Sequence, residues 1–277
     1  MTRPATLALL LLAAVSAPAL ADDKCRHSAP RSLDLDFTGV TAVVFHVGPH
    51  TLRIDAGASP TGAVRGRACA SEADRLDALR LTQERSGGKL VVRLEHDSKW
   101  SGITLGNRYA YMTLEANVPD DLLVQLDVGS GDGRVEGASA VSADVGSGDV
   151  EVRRTRGRVT AKVGSGDVKV DDAGELRILS IGSGDVEAGN LRGDVEVGSI
   201  GSGDFTLRRA IGGVTIRSIG SGDAELADVG GSVSVGSIGS GDLEVERAGG
   251  DLTVSSIGSG DVDHVGIAGT VSLPRKR

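Results

Sequence analysis

The sequence predicts an all-β protein, a parallel β-solenoid with coils of 17–19 residues. The tetrapeptide Gly-Ser-Gly-Asp occurs eight times, and successive copies are spaced by 17, 18, 18, 19, 19, 19 and 19 residues. Between the copies, aliphatic residues alternate with polar ones at the period of a half-buried strand. Aromatic residues make up only 2% of the chain, which suits a narrow interior filled by Val, Ile, Leu and Ala.

Each repeat contains two strands. A short alternating strand follows Gly-Ser-Gly-Asp, as in 150–152, and a polar turn leads to a second strand, as in 159–163. A helix is excluded because two glycines recur in every period and no 3.6-residue apolar stripe persists. Stacked coils should therefore place the first residue after each tetrapeptide in one interior column: Val150, Val168, Val186, Phe205, Ala224, Leu243 and Val262.

The later repeats carry one residue more than the early ones. From Ile181 onward the sequence before the tetrapeptide reads Ser-Ile-Gly, as at Ser199 and Ile200. We interpret this serine as a β-bulge that keeps the isoleucine packed at the corner, so the period grows to 19.

The chain divides into three regions. Residues 1–21 form a predicted signal peptide, 22–127 irregular β coils that act as a cap, and 128–277 the regular solenoid. Within 22–127 the alternating segments are 41–46, 51–55, 76–83, 89–96 and 109–118. This region holds five of the six aromatic residues and both cysteines, which suits the closing of a solenoid end.

The first residues are typical of a secretory signal. Arg3 precedes the apolar run 5–15, which is too short to span a bilayer, and Ala19-Leu20-Ala21 matches an A-x-A cleavage site. An uncleaved anchor is the alternative, and Lys24 before Cys25 disfavours lipidation. No other segment is long and apolar enough to span a membrane, so we expect an exported protein, periplasmic or at the cell surface.

Two cysteines in an exported chain predict one disulfide, Cys25–Cys69. Two free buried thiols are the alternative. A metal site is disfavoured because neither cysteine has a His or Cys at ligand spacing.

The segment VPDDLLVQLDVGSGDGRVEG and the SIGSGD coils that follow resemble the β-strand-repeat adhesin-like family, domain of unknown function 4097. The resemblance covers essentially the whole chain after the signal peptide. It implies a single-stranded right-handed parallel β-helix, and it implies neither an activity nor catalytic residues.

Stacking should bring the aspartates of the tetrapeptides into one column. Each carboxylate either caps N–H groups of its own turn, which we favour, or joins its neighbours in binding cations such as Ca²⁺. The calcium-binding nonapeptide G-G-x-G-x-D-x-U-x matches poorly. The column comprises Asp132, Asp149, Asp167, Asp185, Asp204, Asp223, Asp242 and Asp261.

The sequence predicts no catalytic residue, cofactor or metal site. The glycine motifs lack the third glycine of a dinucleotide fingerprint, and no nucleophile elbow occurs. His46 and His50 are four residues apart, which is a metal-ligand spacing on a helix, but they flank Gly48-Pro49, which predicts a turn. His27 and His96 lie elsewhere in the sequence. A net charge of −8 with few aromatic residues disfavours nucleic acid.

These features predict a non-enzymatic, structural or adhesin-like envelope protein. Its partner is not identified by the sequence; an envelope or surface glycan or a protein would suit such a rod. A carbohydrate-active β-helix enzyme is the alternative, and it would need strand carboxylates such as Glu187 or Glu225 in a cleft. Only 65–74 and 97–107 could supply loops for one. Ice binding is disfavoured because no Thr-x-Thr ladder exists.

Overall fold

The structure is a computed structural model that describes residues 25–97 and 108–274. Within these residues β-strands are the dominant secondary structure, with parallel coils stacked in a β-solenoid of about eight turns. The N-terminal strands are β1 (His27–Asp34), β2 (Ala42–Gly48), β3 (Thr51–Gly57), β4 (Ala63–Ala70), β5 (Leu79–Ser86), β6 (Lys89–His96) and β7 (Ala110–Pro119). The remaining strands are β8 (Leu123–Val128), β9 (Asp132–Glu136), β10 (Ala140–Val145), β11 (Asp149–Val163), β12 (Val168–Ile181), β13 (Val186–Leu191), β14 (Val195–Ile200), β15 (Phe205–Ala210), β16 (Val214–Ile219), β17 (Ala224–Val229), β18 (Val233–Ile238), β19 (Leu243–Ala248), β20 (Leu252–Ile257), β21 (Val262–Ile267) and β22 (Val271–Ser272).

Two stacks of parallel strands enclose the interior. The GSGD sheet contains the strands that follow the tetrapeptides together with β7 and β3 from the N-terminal region. Its spatial order is β7, β3, β9, β11, β12, β13, β15, β17, β19 and β21. The return sheet contains β6, β2, β8, β10, β11, β12, β14, β16, β18, β20 and β22. The long strands β11 and β12 bend at a corner and serve both sheets.

The first coils do not stack in chain order. The coil formed by β2 and β3 lies between the coil of β6 and β7 on one side and the coil of β8 and β9 on the other. The chain therefore forms a middle coil first, returns to build the outer coil, and then continues along the opposite side.

Antiparallel strands cover the outer coil. β4 pairs with β7 and with β1, and β5 pairs with β6, so the N-terminal edges of both sheets are occupied. The disulfide predicted from the sequence is confirmed, since Cys25 is bonded to Cys69 in β4 with a Cα–Cα distance of 5.6 Å.

One predicted strand begins later than expected. We predicted a strand over 76–83, whereas Ala73–Ala78 forms a 3₁₀-helix and the strand begins at Leu79. The N–H of Arg75 bonds the carbonyl of Glu72 at 3.2 Å, a local bond that replaces ladder pairing in this stretch.

The predicted interior column is confirmed by the strand register. Val150 pairs with Val168, and the series continues through Phe205 and Ala224 to Val262. From Val150 to Leu243 these side chains are at most 2% exposed. The column belongs to one continuous apolar cluster that extends from the cap through the repeats.

The glycines of the tetrapeptide do not supply left-handed backbone, because their φ angles lie outside that region. They are required by close stacking, because a Cβ on Gly203 would overlap the carbonyl oxygen of Gly184 in the preceding coil. Ser202 and Gly203 both donate their N–H groups to the carbonyl of Gly182, at 2.8 and 3.1 Å.

Positive φ angles occur instead at the second corner, at the fifth residue after each tetrapeptide. In six consecutive coils the residue at this position is not a glycine, and its φ angle lies between 52° and 69°. These six residues are Arg154, Asp172, Asn190, Arg209, Asp228 and Arg247. A left-handed residue interrupts the alternation of the strand, so two consecutive side chains can face outward.

The predicted bulge is present, but the extra residue precedes the serine. Ala161 pairs with Ile178 and Lys162 with Ser180, so Leu179 is the unpaired residue. The serines then stack in register, and Ile181 begins a buried column with Ile200, Ile219 and Ile238. The bulge thus keeps the isoleucine in the interior at the corner.

Candidate functional site: a polar groove along the GSGD sheet

The aspartate column lies on an exposed edge of the rod. The carboxylate of each aspartate accepts the backbone N–H of the aspartate one coil further on, at 2.7–3.1 Å from Asp149 to Asp261. These bonds join neighbouring coils, whereas we had expected each carboxylate to serve its own turn. Within the described residues, the aspartates from Asp132 to Asp242 form no ion pair with Lys or Arg.

The histidines do not assemble a metal centre. His46 is exposed and its Nδ1 lies 2.8 Å from a carboxylate oxygen of Asp127, whereas the His50 side chain is buried. The Nδ1 of His50 accepts the N–H of Met112 at 3.2 Å, so the neutral ring carries its proton on Nε2 and offers no lone pair to a metal. In the part of the chain that the structure describes, no three His, Cys, Asp or Glu residues could hold a metal ion.

The environment of His50 shifts its titration strongly. Burial, and to a smaller extent the nearby ring of His96, lower the pKa of His50 to about 4. The two ring centroids are 6.0 Å apart. The imidazole is therefore a neutral component of the cap at physiological pH.

A groove of about 790 Å³ runs along the outer face of the GSGD sheet. It follows the bend at the left-handed corner and extends over five coils, from Lys169 to Arg247. Its floor contains the small residues Gly189 and Ala227, which occupy equivalent positions on either side of Arg208. The groove is open along the rod axis, so it could accept an extended molecule.

A second groove of about 760 Å³ continues along the same face toward the cap and shares Lys169 and Glu187 with the first. Some of its charges are neutralised by ion pairs, whereas, in the described part of the chain, the aspartates of the column that border it are not. Arg134 contacts Glu151 at 2.9 Å and Arg53 contacts Asp55 at 3.1 Å. Together, the two grooves follow the outer face of the GSGD sheet along most of the rod.

Three of the six acids that line the first groove are neutralised by a neighbouring cation. Lys169 contacts Glu187 at 2.9 Å, and this hydrogen bond lowers the pKa of the glutamate. Arg247 contacts Asp228 at 2.6 Å and Glu246 at 3.2 Å, and its bond lowers the pKa of Asp228. These acids are thus held in their ionised form.

The first of the two segments that could have formed catalytic loops, 65–74, does not line either groove. Residues 65–70 belong to β4 and 73–74 to the 3₁₀-helix, both in the cap. Asp97 contacts Arg80 at 2.8 Å, and 98–107 lie outside the described residues.

The fold is similar to that of solved bacterial proteins. A protein from Parabacteroides distasonis named "Putative lipid binding protein" superposes with a TM-score of 0.57 at 19% identity, covering 87% of this chain and 97% of the other. A protein from Bacteroides fragilis named "a putative adhesin" gives a TM-score of 0.44 at 15% identity, covering 89% and 97%. At these identities the first likeness shows the fold alone. No family model and no curated protein matches the sequence, so membership of the adhesin-like family stays a prediction.

The groove was not predicted from the sequence. Its shape depends on the left-handed corner, whose residues in consecutive coils are as different as Asp172, Asn190 and Arg209. The available signal is positional, since a polar or charged residue or a glycine stands fifth after every tetrapeptide. Asn and Asp adopt the left-handed conformation more readily than most residues, but Arg does not. Because Arg occupies this position in several coils, residue type alone does not indicate a left-handed corner.

Proposed function

We propose that this chain is an exported, adhesin-like binding protein without catalytic activity, which holds an extended polar molecule of the cell envelope in the groove of the GSGD sheet. The observation that carries this proposal is the open groove, which runs across five coils and is lined by charged side chains together with Asn190 and Thr206. A glycan chain matches both its length and its polarity.

Two acids of the groove, Glu187 and Asp228, are suited to binding rather than to proton donation. A glycosidase needs a carboxylic acid whose pKa is raised, so that it remains protonated near neutral pH. In this groove the pKa values of Glu187 and Asp228 are lowered by Lys169 and Arg247. Both groups are therefore poor proton donors.

Export is supported by the disulfide between Cys25 and Cys69, because such bonds persist in oxidising compartments. The signal peptide proposed for 1–21 lies outside the described residues. Among the residues that the structure describes, no helix has the length and apolar character needed to cross a bilayer.

The proposal can be tested by filling the groove. Ala227→Trp places a large ring on the floor, and Ser234→Trp places the same ring on the outer face of the return sheet in the same coil. The wild-type protein and both variants would be applied to an array of immobilised peptidoglycan, lipopolysaccharide and capsular polysaccharide. We expect the wild type and Ser234→Trp to bind at least one component, and Ala227→Trp to lose that binding. Equal binding by all three proteins, or no binding by any, would contradict the proposal.

A further inference from the structure

Two consecutive arginines face the centre of the groove. Arg208 and Arg209 are both exposed because Arg209 has a φ of 69°, which interrupts the alternation of β15. In a regular strand one of them would point toward the interior. The left-handed corner thus directs two guanidinium groups from a single coil toward solvent.

Neither guanidinium contacts a carboxylate within the described residues, although Arg208 lies near enough to Glu187, and Arg209 to Asp228, to contribute to the lowered pKa of each carboxyl. Arg209 donates to the amide oxygen of Asn190 at 3.1 Å, and within the described residues neither arginine forms an ion pair. Arginines at the same corner in other coils are paired, since Arg154 contacts Glu136 and Arg247 contacts Asp228. The coil of β15 therefore leaves two positive charges unneutralised by contact.

The surroundings leave space on the cap-proximal side of Arg208. Gly189, which is in register with Arg208 one coil earlier, has no side chain, and Glu187 beside it is already paired with Lys169. On the opposite side, Glu225 and Glu244 form no ion pair within the described residues and would repel an anion. A negative group should therefore sit at the two guanidinium groups themselves, because carboxylates border both sides. Glu225 and Glu244 lie toward β17 and β19, and the Oδ1 of Asp171 lies 3.6 Å from the position of a Cβ on Gly189.

We propose that Arg208 and Arg209 form a subsite for an anionic group of the bound molecule: a carboxylate, sulfate or phosphate. Two guanidinium groups suit such planar or tetrahedral anions because each can donate paired N–H bonds. This inference rests on the proposed function, since it names the chemistry of the molecule held in the groove. The site is open to solvent and surrounded by acids, so binding through it should weaken as salt is added.

The test removes both charges and compares anionic with neutral probes. The double variant Arg208→Gln/Arg209→Gln keeps polar side chains of similar length. The matched control, Arg65→Gln/Arg217→Gln, removes two other exposed arginines, one in the cap and one on the return sheet. Affinity would be measured for oligogalacturonate, a linear carboxylated glycan, and for neutral dextran. Vesicles of phosphatidylglycerol and of phosphatidylcholine would test a lipid phosphate as the source of the anion.

We expect the wild type and the control to bind one anionic probe, and the groove double variant to bind it about tenfold more weakly. Binding of oligogalacturonate but not dextran identifies an acidic glycan. Binding of phosphatidylglycerol but not phosphatidylcholine vesicles identifies a lipid headgroup. Both results support the subsite if they depend on the two arginines.

Equal affinity in the groove double variant and the control, or no binding of either anionic probe, would overturn the subsite. The groove-filling variant separates this failure from failure of the proposed function. If Ala227→Trp abolishes binding to the envelope array while Arg208→Gln/Arg209→Gln retains it, the groove is the binding site and the anionic subsite is wrong.

Discussion

Phe205 and Ala224 are neighbours in the interior column, in register in adjacent strands and both fully buried. A large side chain next to a small one keeps the volume of the column nearly constant. The pair therefore offers a direct test of packing between coils.

Phe205→Ala should leave a cavity and lower the free energy of unfolding by about 3–5 kcal/mol. Ala224→Phe should cost about 1–3 kcal/mol through overpacking. The exchange of both residues should recover part of the loss, because the sites touch and total volume is kept. Thr206→Ala, on the groove side, should change stability by only about 0.5 kcal/mol. Denaturant melts of the four variants would measure this, and an exchange no better than the sum of its parts would contradict the register.

His50 should make the protein sensitive to acid. Its pKa is lowered to about 4 in the folded state from an ordinary value of 6.5, so the unfolded chain takes up the proton first. The contribution of the neutral ring is complete above pH 6.5 and is lost as the pH falls toward 4. The total loss should be up to about 3 kcal/mol.

The measurement is the free energy of unfolding between pH 7 and pH 4.5 for the wild type, His50→Gln and His46→Gln. His50→Gln retains a hydrogen-bond acceptor without a titrating group, so its stability should depend less on pH. His46→Gln removes an exposed imidazole and serves as the control. A wild-type slope in His50→Gln would show that His50 does not cause the acid sensitivity.

At the scale of the element, the aspartate column is a ladder that joins one coil to the next. Asp204 accepts the N–H of Asp223 at 2.9 Å and donates its own N–H to Asp185, also at 2.9 Å. The hydrogen bonds oppose the repulsion between carboxylates stacked about 5 Å apart.

Asp204→Asn should be tolerated or slightly stabilising, because the amide retains the acceptor oxygen and removes one repulsive charge. Asp204→Ala should cost about 1 kcal/mol, because the N–H of Asp223 loses its partner. Thermal melts with and without Ca²⁺ would test both effects. A large calcium-induced rise in the melting temperature that Asp204→Asn abolishes would favour a cation site instead.

The regular elements could be predicted because their spacing is set by local chemistry. Stacking excludes a Cβ at the second glycine of each tetrapeptide, so the glycines mark every coil and fix the register of Val150 to Val262. The corner at Asn190 and Arg209 could not be predicted, because its conformation is stabilised by neighbouring coils rather than by residue type. The hydrogen bond from one aspartate to the next coil was also missed, because an aspartate can bond its own turn equally well.

At the scale of the whole molecule, the cap and the repeats share one apolar interior. The position of β2 and β3 between two later coils was not predictable, because pairing between distant segments leaves no local pattern in the sequence. The antiparallel strands that cover the outer coil are fastened by the Cys25–Cys69 disulfide, which spans 44 residues of sequence.

Reduction of this disulfide should destabilise the cap by about 3–4 kcal/mol in the chain-entropy model. Because a solenoid is stabilised between nearest neighbours, the loss should be largest in the N-terminal coils. Hydrogen exchange of the reduced protein should show faster exchange in β1 and β4 than in β15 to β19. Recovery of two free thiols from the native, exported protein would contradict the bond.

The middle position of the β2–β3 coil has a consequence for how the solenoid assembles. This coil comes early in the chain, yet both of its edges accept strands from later segments, β6 and β7 on one side and β8 and β9 on the other. The β2–β3 coil can act as a template to which coils are added on both sides: the coil of β6 and β7 on one side, and the coil of β8 and β9 with all later coils on the other. On both sides a long chain segment must close into a loop before its contacts form. These first steps should therefore be slow relative to the addition of each later coil.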